Sequence, residues 1–170
     1  MSKLCDAAIL FFCRVGWAGL SPRAPGTVGS FTALLLAPWL FLALNPLVQA
    51  LLLVFIFILG GLAACRVETI LGRKDPSQVV IDELLGQWTA LLPVGLLLVS
   101  PQMSGLDMLC SFWPWMLTAF ALFRLFDILK PWPVGASENW LPGGFGVMLD
   151  DLFAGLMAGA LLYASILLFG

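Results

Sequence analysis

The residues best suited to chemistry in this sequence are carboxylates that border its apolar stretches. They form three groups, which are Asp82 with Glu83, then Asp127, and then Asp150 with Asp151. A carboxylate beside a long apolar segment costs free energy unless it is solvated, paired or bound to a cation. Helix capping explains the first and third groups, but Asp127 falls near a predicted helix C-terminus, where the helix dipole favours cations. If the three groups meet, their mutual repulsion calls for a metal ion.

The residue types present favour metal-assisted chemistry on phosphate. Hard divalent ions such as Mg²⁺ prefer carboxylate oxygens and keep water molecules that a phosphate can replace, and one or two of them can activate water for attack on phosphorus. The sequence contains no histidine, which removes the commonest zinc ligand and general base. It also lacks Asp-x-Asp, and no cysteine is followed six residues later by arginine. Phosphoenzyme routes through aspartate, cysteine or histidine are therefore not indicated.

Basic and glycine-rich segments accompany the acids. Arg124 lies three residues before Asp127 and therefore shares its helix face, and Lys130 follows three residues later. The Arg124 guanidinium suits phosphate oxygens and Lys130 supplies a point charge, although an Arg124–Asp127 ion pair that only holds the helix end is an alternative. Glycine-rich residues 21–30 and 143–146 could let the backbone approach an anion. They supply the candidate substrate-binding residues Gly26, Thr27, Ser30 and Gly144, of which Thr27 is also a candidate helix N-cap.

Five apolar stretches must position these groups, and they cover residues 28–44, 47–64, 84–99, 106–123 and 152–169. Of the 170 residues, 61% are hydrophobic and 11% are charged, whereas soluble domains carry about 25% charged residues. Each stretch gives roughly 25 Å of helix, so flanking turns must complete the crossing of a hydrocarbon core of about 30 Å. We predict one all-α domain over residues 1–170, a membrane bundle of about five transmembrane helices. The net charge of −2 gives no basic surface for nucleic acid.

The distribution of charge predicts the orientation of this bundle. The stretches are joined by short connections at 45–46 and 100–105 and by long connections at 65–81 and 124–151. Every Lys and Arg lies in the two long connections, just before the first stretch or in the N-terminal segment. The positive-inside rule makes that side cytoplasmic, and the acidic groups lie on the same side. Residues 4–20 predict an amphipathic helix at the interface with Trp17 as its anchor, and a crossing by this segment is the alternative. Trp88, Trp132 and Trp140 suit an aromatic belt at headgroup level.

Four ordered motifs resemble those of the phosphatidylglycerophosphatase A family. They are Ser-Pro-x-x-Pro-Gly-Thr-x-Gly-Ser at 21–30, Asp-Glu-x-x-Gly-x-Trp at 82–88, Phe-Arg-x-x-Asp-x-x-Lys-Pro-Trp-Pro at 123–133 and Gly-Gly-x-Gly-x-Met-x-Asp-Asp-x-x-Ala-Gly at 143–155. The resemblance implies a bacterial inner-membrane, Mg²⁺-dependent enzyme that hydrolyses phosphatidylglycerophosphate, an anionic phospholipid, to phosphatidylglycerol and phosphate. It implies that Asp82, Glu83, Asp127, Asp150 and Asp151 are the catalytic and metal-binding acids, and that Arg124 and Lys130 bind the substrate.

Two other classes of protein remain open on the residues alone. One is a small ion-coupled transporter whose carboxylates bind the coupling ion, and the other is a structural subunit whose acids are helix caps. Transport sites usually lie near the bilayer midplane on broken helices, whereas these acids lie at the ends of the stretches. That placement favours chemistry at the membrane interface.

Overall fold

All the regular structure in the described parts of the chain, residues 3–74 and 76–169 of a computed structural model, is helical. The all-α prediction is therefore confirmed, and each of the five apolar stretches corresponds to one long helix. The helices are α1 (Lys3–Cys13), α2 (Pro25–Leu40), α3 (Pro46–Leu71), α4 (Ile81–Leu97), α5 (Gly105–Leu129), α6 (Val134–Ser137) and α7 (Gly144–Phe169), with a 3₁₀ turn at Ala18–Leu20.

Three of these helices, α3, α5 and α7, are long and apolar enough to cross a membrane. They have 26, 25 and 26 residues, which at 1.5 Å per residue gives nearly 40 Å each. Helices α2 and α4 have 16 and 17 residues and reach only about 25 Å. Length and composition therefore support three of the five expected crossings, and the count of five stays a prediction.

At the end of the bundle away from the acids, α3 and α5 begin at residues that favour a helix N-terminus. The side chain of Asn45 accepts a hydrogen bond of 3.0 Å from the Val48 amide, and Pro46 occupies the first position of α3. Ser104 and Asp107 form a reciprocal capping box at the start of α5. These caps satisfy amides that the helix itself leaves unpaired. Both short connections therefore end in well-defined helix starts.

Helix α4 is the centre of the bundle, because it contacts α2, α3, α5 and α7. Its closest neighbour is α7, where glycine makes the approach possible. A Cβ added to Gly155 would lie 2.4 Å from the Gly86 carbonyl oxygen, and one added to Gly159 would lie 3.3 Å from the Thr89 oxygen. Gly155 and Gly159 therefore serve packing within the chain.

The predicted aromatic belt is wrong for Trp88. Its side chain is only 4% exposed, its indole N–H donates to the Ala33 carbonyl at 2.9 Å, and its ring stacks on Phe41. Burial with a satisfied N–H makes it a core residue that joins α4 to α2. Trp132 and Trp140 are exposed, as an interfacial position requires.

The N-terminal segment forms a short helix fastened to the bundle. Helix α1 has 11 residues, or about 16 Å, which is too short to cross a membrane as a helix. Asp6 pairs with Arg66 at 2.9 Å, and the Cys13 carbonyl accepts a 2.8 Å hydrogen bond from the Val80 amide. Trp17, beyond the end of α1, is exposed. A helix distinct from the five long ones is thus confirmed, and its position at the membrane interface stays a prediction.

Candidate active site

The starts of α2, α4 and α7 and the end of α5 meet around one polar cavity of about 280 Å³. All five predicted acids and both predicted cations lie in its wall. The alternating direction of the long helices explains this. Successive long helices run in opposite directions, so these three starts and this one end lie at the same face of the bundle. The lining residues are Pro25, Gly26, Ser77, Val79, Asp82, Glu83, Arg124, Asp127, Lys130, Val147, Asp150 and Asp151.

Arg124 is held by carboxylates from two helices. Its Nη1 lies 2.5 Å from Glu83 Oε2 on α4 and 2.8 Å from Asp127 Oδ2 on its own helix. The Arg124–Asp127 pair expected as the purely structural alternative is therefore present, but Glu83 joins it. Both contacts are made by the same nitrogen, so these charge-assisted bonds fix the position of Nη1. Arg124 consequently lies at the wall of the cavity with Nη1 held between two carboxylates.

Lys130 ends α5 in the left-handed conformation, with φ of 44°. Its Nζ lies 2.5 Å from Asp150 and 3.2 Å from Glu138. Burial by itself would lower the pKa of Lys130, but the hydrogen bond and charge of Asp150, followed by those of Glu138, raise the pKa well above its usual range. The ammonium therefore stays protonated over the whole working range of pH. Glu138 was not among the predicted site residues, and only its place in the same charged connection pointed to it.

The second acidic pair, Asp150 and Asp151, is not a helix cap. Helix α7 begins at Gly144, eight residues before the predicted stretch, so these acids lie beyond the first turn. Both are almost completely buried, at 2% and 4% exposure, and Asp150 Oδ1 accepts a 3.0 Å hydrogen bond from the Asp151 amide. The capping explanation therefore fails for this pair.

Asp82 and Glu83, in contrast, do lie in the first turn of α4, where a negative charge complements the helix dipole. Asp82 Oδ1 accepts a 2.9 Å hydrogen bond from the Glu83 amide. The helix dipole can therefore favour both charges without any ligand, but neither residue is the N-cap, which is Val80, and the Glu83 carboxylate accepts hydrogen bonds from Ser30 and Arg124.

Of the four substrate-binding residues predicted from the glycine-rich segments, the structure brings only Gly26 into the cavity wall. Ser30 is completely buried behind it and contacts Glu83. Thr27 is the third residue of α2 rather than its N-cap, which is Ala24, and it does not line the cavity. Gly144 packs on α3, where an added Cβ would lie 2.4 Å from that of Ala64. The wall residues Ser77, Val79 and Val147 were not among the predicted site residues, because no charge or motif marks them.

The donor set of the cavity fits a hard cation, since five carboxylates face two basic side chains and leave a negative excess. Within residues 3–74 and 76–169, however, no three acidic or cysteine side chains are grouped closely enough to hold a metal ion as they stand. Glu83, Asp127 and Asp150 point their oxygens at Arg124 and Lys130 instead. Carboxylates are suitable ligands for Mg²⁺. In the structure, the ion pairs with Arg124 and Lys130 already compensate part of their negative charge.

Comparison with known proteins identifies the family. The sequence model described as phosphatidylglycerophosphatase A matches residues 11–166. The phosphatidylglycerophosphatases A of Escherichia coli K12 and Haemophilus influenzae are 31% and 33% identical over 147 residues, which is 86% of this chain and 76% and 82% of theirs. A protein of Bacteroides thetaiotaomicron, provisionally named phosphatidylinositol-3-phosphatase, is 41% identical over 147 residues, 82% of this chain and 81% of its own. No solved structure matches significantly.

These matches give no support to the transporter alternative, because the family and the named relatives are phosphatases. The family match includes the cavity wall and the helices that carry it, from the end of α1 to the last turns of α7. The chain therefore belongs to the phosphatidylglycerophosphatase A family, and it is a phosphatase.

Proposed function

We propose that this chain hydrolyses the terminal phosphate monoester of phosphatidylglycerophosphate, with Mg²⁺ as its cofactor, to give phosphatidylglycerol and inorganic phosphate. The observation that carries the proposal is the meeting of five carboxylates, Arg124 and Lys130 around one cavity at the end of an apolar bundle. Cations suit the phosphate oxygens, carboxylates suit a divalent ion, and the apolar helices suit the lipid tails.

The chain's own groups divide the work of hydrolysis. Arg124 and Lys130 bind the non-bridging oxygens and stabilise the charge that grows on them in the transition state. Asp82, Glu83, Asp127, Asp150 and Asp151 are the residues that would hold Mg²⁺. The chemistry that the metal supplies when bound is charge neutralisation and a more acidic water. A carboxylate accepts the proton of the attacking water as its oxygen bonds to phosphorus, the P–O bond to the glycerol breaks, and the glycerol oxygen leaves with the proton that the carboxyl group returns.

The proposed setting is the bacterial inner membrane, with five crossings and the cavity at the cytoplasmic face. The supporting observations are the apolar helices α3, α5 and α7 and the clustering of Lys and Arg at the cavity end. Helices α2 and α4 are short for a crossing, but mismatch of this size is accommodated by flanking residues or local thinning of the bilayer.

The name of the Bacteroides relative makes a phosphoinositide the second candidate substrate. Its phosphate is also a monoester on a phospholipid headgroup, so the same cavity chemistry applies. The two lipids differ in the alcohol that leaves, which is a primary alcohol of glycerol in one and a ring alcohol of inositol in the other. The choice between them depends on the space around that alcohol.

A direct assay tests the proposal. The purified protein in mixed micelles is given phosphatidylglycerophosphate or phosphatidylinositol 3-phosphate, and released phosphate is measured with Mg²⁺, with excess chelator, and with chelator followed by Mg²⁺. We expect release from phosphatidylglycerophosphate that chelator abolishes and Mg²⁺ restores. Full activity in chelator would refute the dependence on Mg²⁺. Faster release from phosphatidylinositol 3-phosphate would make that lipid the substrate in place of phosphatidylglycerophosphate.

A further inference from the structure

The start of α2 carries the glycine-rich residues 21–30, which from sequence resemble a backbone cradle for a phosphate. The structure fills that cradle with a side chain of the protein. A Cβ added to Gly26 would lie 2.1 Å from Oε1 of Glu83 and 3.5 Å from Nη1 of Arg124. The space that glycine frees therefore holds the carboxylate of Glu83, and a phosphate in the same space would meet its charge at close range.

Ser30 lies one helical turn further along α2 and contacts the other oxygen of the same carboxylate. Its Oγ is 2.6 Å from Glu83 Oε2 and 2.9 Å from the Gly26 carbonyl, so its single proton is donated to one of these two acceptors. Arg124 Nη1 lies 3.3 Å from Ser30 Oγ and donates to Glu83 Oε2 at 2.5 Å. Ser30 is completely buried and does not line the cavity, so it cannot touch a substrate there.

We propose that Gly26 and Ser30 are positioning residues that hold the Glu83 carboxylate, and do not form a phosphate-binding loop. Gly26 makes room for Oε1, and Ser30 with Arg124 fixes Oε2, so that α2 sets the plane of the carboxylate on α4. This inference rests on the proposed function, since it assigns a role within that site. It revises the expectation that both residues bind substrate.

The two roles predict different kinetic effects. Loss of a positioning contact misplaces Glu83 and lowers kcat, while the groups that bind phosphate, Arg124 and Lys130, keep their other partners. Loss of a phosphate-loop contact weakens the binding of phosphate itself. The split between kcat and the affinity for inorganic phosphate therefore separates the two roles.

The test compares Ser30→Ala with the matched control Thr32→Ala. Thr32 makes the same kind of hydroxyl bond to a carbonyl four residues earlier, at 2.7 Å, but it is remote from Glu83. We expect Ser30→Ala to lower kcat about tenfold or more, with KM and the calorimetric Kd of inorganic phosphate within about twofold of the wild type. Thr32→Ala should change none of these quantities.

Gly26→Ala provides a second variant in case Ser30→Ala does not fold, because it places a methyl against a side-chain oxygen at the cavity wall. It should also lower kcat and leave the Kd of phosphate unchanged. A phosphate Kd that rises in proportion to the loss in kcat/KM would overturn the proposal, and so would an unchanged kcat in a folded variant. A wild-type protein that releases no phosphate from either lipid would instead refute the proposed function.

Discussion

The close packing of α4 on α7 predicts that one methyl group, added one helical turn beyond Asp151 and outside the cavity wall, will disable the site. In Gly155→Ala the new Cβ would lie 2.4 Å from the Gly86 carbonyl oxygen and 2.9 Å from the Thr89 Cβ. Because the first of these atoms is backbone, the helices must separate by roughly 1 Å to reach an ordinary contact of 3.4 Å. This movement separates Asp82 on α4 from Asp151 on α7.

Two magnitudes follow from that displacement. Overpacking of this kind costs about 1–3 kcal/mol of stability, and a misplacement of about 1 Å can cost about a hundredfold in rate. We therefore expect a protein that folds and melts at a lower temperature, with kcat lowered by about two orders of magnitude. Phosphate release from micellar substrate and thermal unfolding followed by circular dichroism measure the two effects.

Gly159→Ala is the matched control, one turn further along α7. Its Cβ would lie 3.3 Å from the Thr89 oxygen, so a shift of a few tenths of an ångström suffices. We expect kcat within about threefold of the wild type in this variant. A Gly155→Ala protein that retains wild-type turnover would show that the α4–α7 distance does not set the geometry of the carboxylates, and the reasoning would fail.

Three further predictions use other parts of the site and its scaffold. Asp127→Asn should lower turnover at least about a hundredfold because it removes a cavity carboxylate, while Asp107→Asn at the far end of the same helix should leave turnover unchanged. Phosphate release measures both variants, and an active, folded Asp127→Asn protein would contradict the catalytic role of Asp127. Lys130→Gln should lower turnover because it removes a cation from the cavity wall and leaves Asp150 without this ion pair; phosphate release at neutral pH measures the loss, and an active, folded variant contradicts the role. Ser104→Ala should lower the free energy of unfolding by about 1 kcal/mol in denaturant melts without affecting turnover, and a catalytic defect would show that the capping box acts on the site.

The long helices are predictable from the sequence because apolar runs broken by Pro and Asn leave few alternatives. Helix ends are not predictable in the same way where tertiary contacts outweigh local propensity. Gly143 to Gly146 predicted a loop, yet α7 begins at Gly144, because the absence of a side chain on Gly144 lets this turn pack directly on α3 at Ala64 and Cys65. That earlier start moves Asp150 and Asp151 past the first turn.

The grouping of the charged residues was predictable from sequence, whereas the partners of the glycines were not. Charges at the ends of alternating helices must lie on one face, so topology alone brings Asp82, Asp127 and Asp150 together. A glycine shows only that something approaches the backbone closely, and the sequence does not show what approaches. At Gly26 the approaching group is Glu83, and at Gly155 it is a neighbouring helix.

The confinement of the charged cavity to one end of the bundle has a consequence for lipid traffic. The opposite end presents Asp107, which is engaged in a helix cap, and offers no second set of catalytic groups among the described residues. We expect the enzyme to draw molecules from a single leaflet and to return the dephosphorylated lipid to that same leaflet. Supply of this lipid to the other monolayer must then depend on a separate translocation step.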